Sequence, residues 1–503
     1  MILSAAQVRA LERQAFANGE SPESLMEEAG SGIARILSES FPIPGHAYAV
    51  FGKGHNGGDA LVVARELAVN GWKVTLVPAS PPEGWSALTR KKFGEAGLCE
   101  HASVLPPLED LPHSRCILLI DGLLGIGSAG PLSPEYAQIT RQMNQLRYSR
   151  RVRTAALDIP SGLDPDSGSP SSSTVYADIT ITIGFPKLGL IADQAIDHVG
   201  RIELVPLRAL TEQSTRSLTV PQSDTASLIT SDEVASLIPR PPFSQHKGAA
   251  GRVLVVAGSH GMAGAAALCA SGALRSGAGL VTLFVPEDVW SVTASMTPAP
   301  IMVRPLRSLT DALEVRADAL VVGPGLGRRQ SHELNALLHG YAGPLVLDAD
   351  ALNGLSVHAI RNVSENRETL LTPHPGELQR LLPQPPDFER RSAALALVAQ
   401  TRATTLLKGS RTVIAAPNGA VRFNTTGCPG MATAGMGDVL SGVAAAFLAR
   451  KITALDAASA AAWLCGKTAQ IITSPGHPSG LTDESLTASD IIQHLGLAFQ
   501  SLP

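Results

Sequence analysis

Gly435, Gly437 and Asp438 stand immediately before an apolar helical run, Val439 to Leu448. The two glycines let the backbone turn tightly, so several N–H groups can face one anion. The helix that follows adds the positive end of its dipole at the same place. Asp438 therefore sits where a phosphate would bind. A carboxylate repels such a ligand, so its use there is chemical: it can take a proton from a hydroxyl attacking the phosphate. Helix capping is the other use of an Asp at this place. Upstream, Lys408, Gly409, Ser410, Arg411 and Thr412 follow a strand-like run and offer further phosphate donors.

A second constellation lies in the first third of the chain. Phe51-Gly-Lys-Gly-His-Asn-Gly-Gly-Asp59 follows a strand-like run and enters a helix, the position of a phosphate loop in a dinucleotide-binding fold. Gly52, Gly54 and Gly57 keep Gly-x-Gly-x-x-Gly spacing, but that motif alone is a weak signal for an ordinary dehydrogenase. Asp121-Gly-Leu-Leu-Gly-Ile-Gly127 and Asp158-Ile-Pro-Ser-Gly162 each end a strand-like run. Ligands of doubly wound sheets sit beyond the carboxyl ends of the strands. Three acids at three such ends could share a hard cation, or one could act as acid or base.

The elements that must position these groups alternate along the chain. Ser4 and Gln7 have capping-box spacing and predict a helix to about Ala17, and Ser21-Pro22 starts another. Strands are expected at 48–51, 73–77, 116–120, 154–157, 179–183 and 201–205, with helices after Asp59 and over 134–146. Residues 209–224 lack apolar periodicity, which puts a linker at 211–224 between domains 1–210 and 225–503. A second series follows, with strands at 253–256, 280–285, 319–322, 345–347, 369–371, 404–407 and 412–415 and two Ala-rich helices. This alternation predicts parallel sheets with helices on both faces in two α/β domains.

Composition narrows the function. Forty basic against 44 acidic residues give a formal charge of −4, so no general affinity for nucleic acid is expected. The longest apolar stretch, 262–286, carries Arg275 and several glycines, so no membrane span is expected. The start has no basic segment followed by an apolar core, so no signal peptide is expected. Cys99, Cys116, Cys269, Cys428 and Cys465 have no zinc-ligand spacing and suit reduced thiols in a cytoplasmic protein.

Taken together, Asn56-Gly-Gly-Asp59, the Asp121 motif and Asp158-Ile-Pro-Ser-Gly resemble the epimerase domain of the NAD(P)H-hydrate repair enzymes. The second half, with Gly258-Ser-His-Gly-Met-Ala-Gly264, Gly323-Pro-Gly-Leu-Gly327, Thr372-Pro-His-Pro-Gly-Glu377, Lys408-Gly-Ser and Gly435-Met-Gly-Asp438, resembles their ADP-dependent dehydratase domain. The order fits the bifunctional bacterial fusion. The resemblance implies a Rossmann-like three-layer domain followed by a ribokinase-like one. It implies that His55, Asn56, Gly57, Gly58 and Asp59 touch the hydrated nucleotide, NAD(P)HX. Asn56, Asp121 and Ser161 would hold potassium. Gly125, Ile126, Gly127, Ser128, Ala129, Gly130 and Pro131 would wrap its phosphates, and Asp158 would meet the reacting ring. In the second domain Ala265, Gly325, His374 and Asp438 would contact substrate. Lys408 to Thr412 and Gly437 would bind ADP, with magnesium shielding its charge and Asp438 as base. AMP and phosphate would be released, and a homo-oligomer is the expected assembly. His55 stands where asparagine is common in the family, and Ala60 where glycine is common.

Two other readings remain open on the residues alone. Gly-x-Gly-Asp also fits a small-molecule kinase of the ribokinase type. The first domain could be a binding module, as in RNA-processing scaffolds.

Overall fold

The first sheet is built from runs apolar on both faces, the pattern of a buried parallel strand. The computed structural model describes residues 1–114, 116–127, 130–149, 152–217, 226–327, 331–383 and 389–503. Contacts divide the chain into two compact units, Met1–Val220 with Ser474–Gly476, and Pro221–Thr473 with His477–Pro503. In the first, β1 (His46–Phe51), β2 (Lys73–Pro78), β3 (Glu100–His101), β4 (Ile117–Gly122), β5 (Val152–Leu157), β6 (Ile179–Ile183) and β7 (Arg201–Val205) form a parallel sheet. Their order is β3-β2-β1-β4-β5-β6-β7, so the winding reverses between β1 and β4. Phe51 pairs with Gly122, so β1 and β4 end level at that switch point, where ligands of this architecture bind.

Local signals explain the helices that flank it. Ser4 and Gln7 form the expected capping box of helix Ala5–Ala17, and Ser21 caps helix Pro22–Ser40 with Pro22 in its first turn. Helix His55–Val69 starts at Gly54 with no side-chain cap, which leaves its first N–H groups without a side-chain acceptor. A Cβ on Gly52 would strike the Leu123 carbonyl, and one on Gly57 would strike the Gly52 carbonyl. These two glycines bring the phosphate-type loop against the exit of β4. Ala60 is inside the helix and fully buried, where it needs no special backbone.

The second unit contains β8 (Ala226–Leu228), β9 (Arg252–Val256), β10 (Leu280–Pro286), β11 (Met302–Leu306), β12 (Ala319–Val322), β13 (Leu345–Leu347), β14 (Thr369–Leu371), β15 (Thr404–Leu407), β16 (Val413–Ala415) and β17 (Val421–Phe423). Their order is β11-β10-β9-β12-β13-β14-β15-β16-β17-β8. The pairs from β11 to β15 are parallel, but β16 runs antiparallel to both β15 and β17. The fully parallel sheet expected from the alternation is thus correct only as far as β15. Strands β3, β8, β11 and β17, not expected from the sequence, are short or lie near sheet edges, where apolar patterning is weakest.

One helix falls where the linker was expected. Arg208–Ser217 is helical although Leu210 is its one buried apolar residue among those described. Polar contacts hold it instead: the Arg208 amide donates to Glu28 at 3.0 Å, and Asn18 to Gln213 at 2.8 Å. Residues 218–224 of the expected linker lie outside the described residues. No helix among the described residues is long and apolar enough to cross a membrane.

The helix Met436–Ala449 packs on Ala263–Arg275 through glycine, because a Cβ on Gly442 would collide with the Cys269 carbonyl oxygen. Gly442→Ala therefore tests this contact. Alanine gains about 1 kcal/mol of helix propensity, whereas overpacking costs about 1–3 kcal/mol. Collision with a backbone atom puts the cost at the upper end, so the second unit's denaturation midpoint should fall.

Candidate active sites

The first site is assembled at the carboxyl edge of β1, β4, β5 and β6. Asp158 directly follows β5 at φ 67, a left-handed backbone that costs energy for a side-chain-bearing residue. Its Oδ1 accepts from Lys187 Nζ and from the Ile183 amide at 3.2 Å. Lys187 is fully buried, and its ammonium also donates to Thr182 Oγ1 at 3.2 Å and the Ile183 carbonyl at 2.9 Å. The described residues donate no hydrogen bond to Asp158 Oδ2. One oxygen is thereby anchored and the other left for chemistry. Burial, then the charges of Asp158 and Glu12, push the Asp59 carboxyl well above the usual range, with Lys187 opposing.

Asn56, Asp121 and Ser161 gather around the loop leaving β4. Asp121 is fully buried and accepts from Ser161 Oγ at 2.7 Å, the Ser161 amide at 2.8 Å and the Leu123 amide at 3.3 Å. Burial lifts its pKa to about 6, against the pull of those bonds. Ser161 Oγ accepts the Leu124 amide at 3.0 Å. The Asn56 side chain lies against Gly125, and both its buried oxygen and nitrogen lack a hydrogen-bond partner. An orphaned amide oxygen lying against the loop that follows the Asp121 carboxylate suits a hard cation. Beyond the loop, Arg9 donates to the Ile126 carbonyl at 2.7 Å, while His55, Gly127, Gly130 and Pro131 are exposed. Ser128 and Ala129 lie outside the described residues.

The second site occupies the carboxyl ends of β9 and β12–β15. Asp348, buried after β13, accepts from Lys408 Nζ at 2.9 Å and Ser441 Oγ at 2.7 Å. Thr372 Oγ1 lies 3.3 Å from Ser441 Oγ. A Cβ on Gly437 would sit 3.1 Å from Lys408 Nζ, so this glycine lets the ammonium reach the helix start. Burial opposes the charge on Lys408, but Asp348, Glu377 and Asp438 outweigh it and raise its pKa. The helix N-cap is Gly435 at φ 88, with no side-chain cap. Asp438 lies in the first turn, and among the described residues its carboxylate has no hydrogen bond, so capping does not occupy it. Burial and the charges of Asp348 and Asp350 bring its pKa to about 7, with Lys408 opposing. A base working near neutral pH is most effective at such a value.

The chain matches two families, "YjeF-related protein N-terminus" over residues 22–189 and "NAD(P)H-hydrate dehydratase" over residues 253–494. It is 36% identical over 478 residues to the bifunctional NAD(P)H-hydrate repair enzyme Nnr of Gloeobacter violaceus, covering 92% of this chain and 91% of that protein. The Coxiella burnetii enzyme of the same name is 34% identical, with 97% of each chain covered. The chain belongs to the bifunctional NAD(P)H-hydrate repair enzymes. Among solved structures, the ADP/ATP-dependent NAD(P)H-hydrate dehydratase from Bacillus subtilis, co-crystallised with ATP and Mg2+, is 27% identical with a TM-score of 0.49, covering 57% of this chain and 100% of that one.

The first family match lies within the first unit, and the second lies almost wholly within the second. Ala265 and Gly325 meet, since a Cβ on Gly325 would lie 2.9 Å from that of Ala265. His374 caps helix Pro375–Leu381: its Nδ1 accepts the Gly376 amide at 3.0 Å and the Glu377 amide at 3.3 Å. The proton is therefore on Nε2, which lies 3.5 Å from Glu377 Oε1 on a largely exposed ring. In the segment after β15 Lys408 is half-buried, Gly409 and Ser410 are exposed, Thr412 Oγ1 donates to the Gly409 carbonyl at 3.2 Å, and Arg411 is buried.

Sequence reasoning missed Lys187, Ser441 and Arg390. A charged residue breaking the apolar run 179–191 could have signalled Lys187. Arg390 lies over Gly409 and donates to the Arg411 carbonyl at 3.2 Å, from a different helix. Glu23, Glu27 and Glu95 are the described cluster with metal-ligand spacing, but Lys91, Lys92 and Arg65 neutralise them.

The electrostatics can be read directly. Carboxyl NMR of Asp438 should show a midpoint near the value of about 7. Asp348→Asn removes a negative neighbour and frees Lys408, so the midpoint should fall by about one unit or more. An unchanged midpoint would exclude Asp348 as a cause.

Proposed function

We propose that the chain repairs hydrated NADH and NADPH at two sites, an epimerase site in residues 1–210 and a dehydratase site in residues 225–503. The observation that carries this reading is the unbonded carboxylate of Asp438, raised to about 7, beside Lys408 at an uncapped helix start. Hydration leaves a hydroxyl on the nicotinamide ring, and hydroxide is a poor leaving group. Asp438 takes the hydroxyl proton while the oxygen attacks the terminal phosphorus of ADP, and AMP departs. The ring then carries phosphate, a good leaving group. Its departure with the C–O electron pair, and loss of a proton from the neighbouring carbon, restore the double bond.

Lys408 to Thr412 and Gly437 bind the nucleotide phosphates in this reading, and magnesium shields their charge. Gly325, Ala265 and His374 line the substrate side, with His374 offering its Nε2–H. This chemistry favours a dehydratase over a small-molecule kinase, because the phosphorylated ring is a transient species.

At the first site His55 to Asp59 and Gly125 to Pro131 hold the nucleotide, and Asp158 moves a proton at the ring hydroxyl. Asn56, Asp121 and Ser161 hold potassium, which supplies positive charge near the substrate phosphates. Both epimers thereby become available to the dehydratase.

The decisive variants separate the two sites. Asp438→Asn keeps shape but not basicity, so dehydration should fall by at least about 10²–10⁴-fold, with ADP still bound by calorimetry. Near-normal turnover would remove Asp438 from the mechanism. Asp158→Asn should recover NADH rapidly from one epimer only, the other following at the spontaneous rate of interconversion. Wild-type consumption of both epimers by this variant would place the epimerase chemistry elsewhere.

A further inference from the structure

The N-terminal segment is built into the first site rather than appended to it. Leu3 pairs in parallel with Lys187: its amide donates to the Pro186 carbonyl at 2.9 Å, and its carbonyl accepts the Leu188 amide at 3.1 Å. The Ala5 amide donates to Asp166 Oδ1 at 2.6 Å, fixing the start of helix Ala5–Ala17 beside the Asp158 loop. From the same helix Arg9 reaches across to the Ile126 carbonyl, on the loop after β4. The helix therefore spans from the Lys187 strap to the far wall of the site. Glu12 lies three residues from Arg9, so both share a helical face. It borders the buried stripe of Val8, Leu11 and Ala15 and is itself half-buried. Among the described residues its carboxylate has no hydrogen-bond partner.

Resting on the epimerase reading, we propose that Glu12 is a second acid–base group of that site, working opposite Asp158. Inversion at a carbon bearing both hydroxyl and ring nitrogen needs two proton-transfer groups. A protonated carboxyl gives its proton to the hydroxyl, and the C–O bond breaks with its electron pair leaving on water. The nitrogen lone pair forms a C=N⁺ bond. Water then adds from the other face, its lone pair forming the new C–O bond as the π pair returns to nitrogen. The proton it loses passes to a carboxylate, and exchange with solvent resets both groups. Asp158, paired with the Lys187 ammonium, serves as the carboxylate. Glu12 serves as the acid: burial and then the charge of Asp158 raise its pKa, against Lys187 and against Arg9 and Arg13 on its own helix. Asp59 is the other acid of the cluster, but it is more deeply buried and worse placed to exchange a proton with solvent.

The test uses the full chain and a single epimer of hydrated NADH, following epimer interconversion by NMR above the spontaneous rate, without ADP. Glu12→Gln should lower kcat by about 10²-fold with KM little changed. It should also abolish the decline in rate that the wild type shows as pH rises through the Glu12 pKa. Glu12→Asp should retain that decline and recover much of the rate. ADP-driven dehydration by the same variants should match wild type, which reports intact protein. A Glu12→Gln variant with wild-type kcat overturns the proposal, as does one with reduced kcat but an unaltered pH profile. A wild-type chain that leaves the epimer ratio at the spontaneous rate overturns the epimerase reading together with it.

Discussion

Each half of this chain pairs a lysine with an aspartate at the carboxyl edge of its parallel strands, Lys187 fully buried and Lys408 half-buried. A buried ammonium is tolerated only with a partner and further acceptors. Lys187 finds Asp158, Thr182 Oγ1 and the Ile183 carbonyl; Lys408 finds Asp348. The two sites use the pair differently. In the first the lysine grips Asp158 itself, fixing one oxygen and leaving the other. In the second it grips a neighbour, so that Asp438 remains unpaired and close to neutrality in its titration.

These pairs work because the surrounding backbone comes unusually close. The loop Gly52–Gly57 meets the exit of β4, and Gly437 lets Lys408 approach the first turn of its helix. Both helix starts lack a side-chain cap, which leaves their first N–H groups without a side-chain acceptor. A carboxylate at such a place is repelled by its acidic neighbours, Asp348 and Asp350, unless a positive charge stands beside it. Lys408 provides that charge, and the polar chain Thr372–Ser441–Asp348 keeps Lys408 in position.

How much of this was legible follows from the kind of signal each element leaves. Motifs of glycine and aspartate at strand ends were visible because close approach and anion binding restrict residue type at fixed spacing. The core strands were visible as apolar runs. The helix Arg208–Ser217 was not, because hydrogen bonds from polar side chains hold it and apolar periodicity does not. The antiparallel turn at β16 leaves no mark in runs of three residues. Lys187 and Arg390 act through folding that brings distant segments together, and neither belongs to a motif. Glu12 reads from sequence as an ordinary polar residue of an amphipathic helix; only the pairing of Leu3 with Lys187 places that helix beside Asp158.

The central claim is that one chain returns both hydrated epimers to the reduced nucleotide at the expense of a phosphoanhydride. The most direct measurement supplies an equal mixture of the two epimers of hydrated NADH with excess ADP, and follows reduced-nicotinamide absorbance, AMP and inorganic phosphate together. The account predicts complete recovery of NADH, with AMP and phosphate each released in equal amount to it. A phosphorylated ring that accumulates as the stable product, or recovery that stops at half of the mixture, would contradict it.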